Sequence, residues 1–188
     1  LILDRLAGWK IISFPFTKFF NYGEQFAANL DWASCWTSEK IDGSLIKIVK
    51  PDDANGKLLI SSNGNISVKD ANIPDYPGCK YKTFADIIDM FHLNSSVFDC
   101  GYTYMFELVS PWNNIVINYK EPALYFIGCR NNLTGEELKF YEHPLSKIFM
   151  TPALHKLGTA EECIALAKSF KNEKEGIVAC DKDFNRLK

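Results

Sequence analysis

The chain has 188 residues, of which 47% are hydrophobic and 14% aromatic, and its 21 basic and 23 acidic side chains leave a net charge of −2. So much apolar material builds the core of one ordinary domain and excludes a disordered chain. The balanced charge excludes nucleic-acid binding through a broadly basic surface, so phosphate recognition would have to come from a local cluster.

No stretch approaches the roughly 18 consecutive apolar residues of a membrane span, and the first residues lack the sections of a secretory signal, so a soluble, intracellular protein is expected. Cys35, Cys79, Cys100, Cys129, Cys163 and Cys180 are scattered without paired short spacing, which favours reduced core thiols over a disulfide framework or a zinc site. His92, His143 and His155 stand apart, none of them at helical spacing from another ligand. The sequence opens without methionine and stops at Asn185-Arg186-Leu187-Lys188 inside what reads as a strand. It therefore reads as one domain over residues 1–188, a fragment cut at both ends, with no repeat and no linker.

In chain order, strands are expected at Ser44–Lys50 and Lys57–Ser62, where β-branched and aromatic residues alternate between Gly, Asn and Asp clusters. A helix follows over about Phe84–His92, with Thr83 and Asp86 forming a capping box and Phe84, Ile87, Ile88 and Phe91 on one face. Further strands are expected at Tyr104–Val109, Asn114–Tyr119, Ala123–Arg130 and Glu137–Tyr141. A second helix over about Ala160–Lys171 starts behind Thr159, with Glu162 completing the same cap pattern. Gly176–Cys180 is the last expected strand. Many strands with two helices predict an α+β fold of packed antiparallel sheets flanked by helices.

Three short stretches can carry chemistry. Glu39-Lys40-Ile41-Asp42-Gly43-Ser44 places a lysine before an Asp-Gly turn and an apolar alternation. Its plain reading is a loop entering a strand; its functional reading is an amine held in line with the α-phosphorus of a nucleotide, with glycine allowing close backbone approach. Such an amine must be neutral to attack, although a free lysine has a pKa of about 10.4, so desolvation or neighbouring cations have to lower it. In Tyr104-Met105-Phe106-Glu107-Leu108-Val109, one carboxylate interrupts an apolar strand. It is either on a solvated face or poised for a ribose hydroxyl. Lys174-Glu175-Gly176-Ile177-Val178 opens a strand with a second carboxylate, and Lys188 follows. Taken singly, each stretch favours its plain reading.

Their order and combination resemble the covalent nucleotidyltransferase superfamily, and in detail the single-strand RNA ligases of T-even phage type. Pro15-Phe16-Thr17-Lys18-Phe19-Phe20-Asn21-Tyr22-Gly23-Glu24, Glu39–Ser44 and the run Phe106-Glu107-Leu108-Val109-Ser110-Pro111-Trp112-Asn113-Asn114-Ile115-Val116 carry the match, which spans essentially the whole chain. The resemblance implies an ATP-grasp-like nucleotidyltransferase domain that forms a lysyl-AMP intermediate. ATP would be the co-substrate and Mg2+ the metal. The AMP would pass to an RNA 5′-phosphate for joining to a 3′-hydroxyl.

It implies Lys40 as the nucleophile, with Glu39 beside it at the nucleotide, and Glu107 on the ribose. Glu175 would assist metal binding or lysine activation, while Lys18 and Lys188 stabilise charge on the phosphates. Ile127 and Val178 would enclose the adenine, although both would serve equally as strand core. Arg130 reads evenly as a phosphate contact or a solvated end of strand.

The chain departs from the family at Ser61-Ser62-Asn63-Gly64, where a basic residue is common. A second lysine two positions beyond Lys188 and an arginine just before Leu1 fall outside the sequence. The other readings are a capping-type or DNA-joining nucleotidyltransferase, and a nucleotide- or RNA-binding module that does not turn over.

Overall fold

The structure is a computed structural model that describes residues 1–52, 56–74, 76–113, 115–171 and 173–188. In chain order the strands are β1 (Ile2–Asp4), β2 (Lys10–Ser13), β3 (Trp36–Lys40), β4 (Ser44–Val49), β5 (Leu59–Ser62), β6 (Tyr102–Val109), β7 (Ala123–Asn131), β8 (Glu137–Leu138), β9 (Leu154–His155), β10 (Gly176–Cys180) and β11 (Arg186–Leu187), with helices α1 (Phe84–Ile88) and α2 (Ala160–Ser169). The α+β arrangement of antiparallel sheets with flanking helices is the one the sequence predicts. Two compact units divide the chain. The first holds residues 1–16, 43–114 and 119–151, and the second holds 17–42, 115–118 and 152–188.

The first unit is built on a five-stranded sheet of order β5-β4-β6-β7-β8. Strand alternation sends Ile46 and Ile48 of β4, Tyr104 and Phe106 of β6 and Phe126 of β7 into one core with Ile87 and Phe98. Leu45, Lys47, Met105, Glu107 and Tyr125 take the opposite face. α1 closes over the core behind the capping box expected from the sequence: Thr83 Oγ1 accepts the Asp86 N–H, and Asp86 accepts the Thr83 N–H at 2.9 Å. The helix is shorter than expected because a 3-10 turn, Asp89–Phe91, takes over its second half.

Two expectations fail in this unit. Arg130 neither reaches a phosphate nor is solvated. It is 6% exposed, paired with Glu137, donates to Pro15 O at 2.8 Å and lies 4.5 Å from the Phe14 ring centroid. The expected strand Glu137–Tyr141 shrinks to Glu137–Leu138, since the chain turns at once, with Glu142 N–H donating to Lys139 O.

The second unit carries a four-stranded sheet of order β11-β10-β3-β9, antiparallel throughout, with α2 packed on β10. Thr159 Oγ1 caps α2 by accepting the Glu162 N–H, and the Glu162 carboxylate accepts from Gly158 N–H at 2.7 Å, one residue before the position a capping box would use. The expected strand Asn114–Tyr119 is absent over 115–119, and Asn114 itself lies outside the described residues. Ile115 and Val116 are exposed, and the N–H groups of Val116 and Ile117 donate to the Asp42 carboxylate instead of to a strand.

No disulfide joins the six cysteines among the described residues, and burial raises the thiols of Cys35 to about 11 and Cys129 to about 12. Among those residues no helix is long and apolar enough to cross a membrane.

Candidate active site

Lys40 ends β3, and the sequence reading of it as a loop residue is corrected: Trp-Thr-Ser-Glu-Lys is too polar to announce a strand, yet every residue of it pairs with β10. The register sets Lys40 opposite Gly176 and Glu39 opposite Ile177. Lys40, Ser38 and Val178 therefore share one face, and Glu39, Thr37, Ile177 and Ala179 share the other. Glu175 precedes Gly176, so its carboxylate sits at the mouth of β10 and accepts a hydrogen bond from Lys40 Nζ. Both side chains are about one quarter exposed, at 27% and 25%, which leaves them accessible to a ligand. On the other face Lys174 Nζ donates to Glu39 at 2.8 Å.

Lys188 reaches the same unit through the turn between β10 and β11. The buried Asp181 carboxylate organises that turn by accepting from the N–H groups of Asp183 and Asn185, both at 3.0 Å, and from Asn185 Nδ2 at 3.1 Å. Burial works to raise this carboxyl, but the hydrogen bonds prevail and hold it below the usual carboxylate range. β11 then leads to a parallel bridge between Leu187 and Phe20, with Lys188 N–H donating to Phe20 O and Tyr22 N–H to Lys188 O.

That bridge gathers two of the expected cations, Lys18 and Lys188, near one another. Their Nζ atoms lie 4.9 Å from the Phe20 ring and 5.8 Å from the Phe19 ring, respectively. Both also act on Glu24, whose carboxyl is held down first by hydrogen bonds from Asn21 and then by these two charges.

A hollow of about 260 Å³ opens in this unit, walled by Cys163, Ile164 and Ala167 of α2 and by Ile177, Ala179 and Leu187 of the sheet, with Lys40, Glu175 and Lys188 among its lining. Val178 is not in its wall, because alternation turns it to the opposite face with Ser38 and Lys40. The hollow thus lies between α2 and the Ile177–Ala179 face of the sheet.

Glu107 and Ile127 belong to the first unit. Glu107 lies on β6 opposite Leu45 and Tyr125, while Ile127 is the extra residue of a bulge, between Phe126 opposite Phe106 and Gly128 opposite Met105. Gly43 also belongs there. A Cβ on it would stand 2.4 Å from Leu108 O, so glycine is required by the neighbouring strand.

No group of three or more His, Cys, Asp or Glu side chains that could hold a metal ion occurs among the described residues. A magnesium ion held by one or two carboxylates plus substrate phosphates and water would need no such group, and Glu175 at the mouth of β10 is a carboxylate that could hold it.

A family model described as RNA ligase matches residues 1–185. The chain belongs to the RNA ligase family. Relatives within and around that family span more sequence. A putative bifunctional polynucleotide kinase/RNA ligase of Autographa californica nuclear polyhedrosis virus is 31% identical over 93% of this chain and 27% of its own length. An RNA ligase of Rhodothermus phage RM378 is 29% identical over 66% of this chain and 34% of its own. The chain spans about a quarter to a third of these two relatives.

Among solved structures, an archaeal ATP-dependent RNA ligase matches with a TM-score of 0.60 at 16% identity, covering 81% of this chain and 40% of that one. A Naegleria gruberi RNA ligase variant solved with AMP and Mn matches with a TM-score of 0.50 at 12% identity, over 82% of this chain and 48% of that one. These two show the fold of the RNA ligase chain.

Sequence reasoning missed Asp42 as an anchor and Asp181 as the organiser of the Lys188 turn. The pairing of Asp181 with Asn185 across a short polar turn was a readable signal. Nothing local announced that Asp42 would hold residues more than seventy positions away.

Proposed function

We propose that this chain is the adenylyltransferase part of an ATP-dependent RNA ligase, acting inside the cell, with Lys40 as the residue that carries AMP. The observation that carries the reading is the Lys40–Glu175 hydrogen bond at the mouth of the β3–β10 pair, within the unit that also holds Lys18 and Lys188.

In the first step Lys40, once it has given up a proton, attacks the α-phosphorus of ATP through its amine. The N–P bond forms as the bond from phosphorus to the pyrophosphate oxygen breaks, and the amine proton leaves toward Glu175. Lys18 and Lys188 stabilise the added negative charge on the pentavalent phosphorus and the leaving pyrophosphate. A magnesium ion at Glu175 would supply neutralisation of phosphate oxygens. In the second step an RNA 5′-phosphate oxygen attacks the same phosphorus, breaking the N–P bond and returning the lysine amine. In the third, an RNA 3′-hydroxyl attacks the 5′-phosphate and releases AMP.

Glu107 would accept hydrogen bonds from the ribose, and Val178 and Ile127 would flank the adenine. The Val178 role gains support from its sharing a sheet face with Lys40. Glu39, whose carboxylate is engaged by Lys174, would position β3 beside the nucleotide.

Incubation with labelled ATP or GTP, with and without RNA, tests the reading. Covalent label from ATP that Lys40→Ala abolishes, and that RNA carrying a 5′-phosphate removes, is the expected result. Label from GTP in preference to ATP would point to a capping-type enzyme. Nucleotide-induced stabilisation without any label would point to a binding module and contradict catalysis.

A further inference from the structure

Two large aromatic side chains stand open in one short segment of the second unit, Phe26 at 69% exposure and Tyr22 at 55%. A single exposed apolar side chain needs no explanation. These two sit on an ordered backbone: successive turns fix the segment, with Glu24 N–H donating to Asn21 O at 3.1 Å and Ala27 N–H to Glu24 O at 3.0 Å. The Glu24 carboxylate locks the first turn by accepting from Asn21 N–H at 3.0 Å and from Asn21 Nδ2 at 2.6 Å. A partner that lies on the rings therefore has little backbone left to order.

Two cations accompany the rings. Lys18 Nζ lies 4.9 Å from the centroid of the Phe20 ring, and the Phe26 centroid is 5.8 Å from that same ring. Lys188, with Nζ 5.8 Å from the Phe19 ring, is tied to the segment by the Tyr22 N–H, which donates to its carbonyl at 2.9 Å. Among the described residues no carboxylate comes within ion-pair distance of either ammonium. Tyr22 also lines the hollow that Lys40 and Lys188 line.

We infer that Tyr22 and Phe26 form a stacking platform for the first bases of the RNA strand that carries the 5′-phosphate. The inference rests on the proposed adenylyltransferase reading and names the surface by which that site holds its polynucleotide. A single strand offers phosphates to ammonium groups and bases to aromatic faces, and stacking accepts every base. A duplex keeps its bases paired and stacked inside and has none to lay on these rings. Because Tyr22 is bonded to Lys188 and shares a hollow with Lys40, the bases stacked there belong to the nucleotides next to the phosphate that receives AMP.

The test measures binding of 5′-phosphorylated single-stranded RNA to the chain by fluorescence anisotropy, using an intact strand and one whose first three nucleotides are abasic. Phe26→Ala and Tyr22→Ala should each weaken the intact strand about tenfold, and Phe26→Trp should restore it, since tryptophan keeps a stacking face. On the abasic strand the parent and both alanine variants should agree within about twofold. AMP labelling from ATP, which needs no RNA, should be unchanged in both variants, and so should the melting temperature.

Unchanged affinity for the intact strand, an equal loss on intact and abasic strands, or an alanine variant that melts well below the parent would each overturn the proposal, the last by making the ring structural. A parent that takes no AMP label would overturn the adenylyltransferase reading and this inference with it, whereas a parent that labels normally and binds intact and abasic strands alike would overturn this inference alone.

Discussion

At the scale of single residues, buried charges hold the fold through partners inside their own unit. Arg130 and Glu137 satisfy each other inside the first unit, at side-chain exposures of 8% and 4%. Removing one partner leaves the other charge buried, so Arg130→Met should cost roughly 3–5 kcal/mol. The double change Arg130→Met with Glu137→Leu should return most of it, as urea unfolding of the three variants would show. Asp42 acts similarly in the second unit, where the residue is 2% exposed and its carboxylate accepts the N–H groups of Val116 and Ile117 at 2.6 Å each. Asp42→Ala strands those donors and should destabilise the chain by roughly 1–3 kcal/mol in the same assay.

The sequence reading grouped Lys40, Glu175 and Lys188 from the order of their motifs, and all three lie in the second unit. Arg130 was not legible, since its partners Pro15 and Glu137 come from segments whose packing no local pattern reveals.

At the scale of elements, the strands that were legible are those with β-branched or aromatic alternation, such as β4 and β10. Those that were missed are either two to four residues long, as β1, β2, β9 and β11 are, or polar, as β3 is. β3 is a strand because β10 and β9 flank it, so its conformation is dictated by tertiary pairing over its own propensity. The opposite error, a strand at Asn114–Tyr119, arose because apolar alternation was present without a partner to pair with.

Gly43 joins the legible motif to the fold. Gly43→Ala drives a Cβ into Leu108 O on β6, so about 1–3 kcal/mol of stability should be lost by calorimetry, together with AMP labelling.

His143, which caps a 3-10 turn by accepting the Leu145 N–H at 3.2 Å, gives the first unit a pH dependence. Desolvation lowers its pKa from 6.5 against a smaller opposing pull from Asp99. The unfolded chain therefore binds the proton more readily, so the stabilisation is present above the ordinary histidine pKa and lost as pH falls through and below it. Between about pH 7.5 and about pH 5 the melting temperature should drop more for the parent than for His143→Asn, which keeps the cap without titrating. Equal drops would remove His143 from the account.

At the scale of the whole molecule, family membership and fold rest on residues 1–185 matching RNA ligase and on the sheet architecture common to RNA ligase structures. The α+β class was legible from the count of strands and the two capped helices. The division into two units was not, because no linker marks it and the chain passes between them several times, once at Asp42-Gly43, two residues after Lys40.

Chemistry at Lys40 is the claim on which the functional account turns. The most direct measurement is the intact mass of the chain after exposure to ATP and magnesium, followed by peptide mapping. The account predicts one added AMP on the peptide containing Lys40, lost in Lys40→Ala and released by pyrophosphate. An adduct on another residue, or an unchanged mass in a chain that binds ATP, would contradict it.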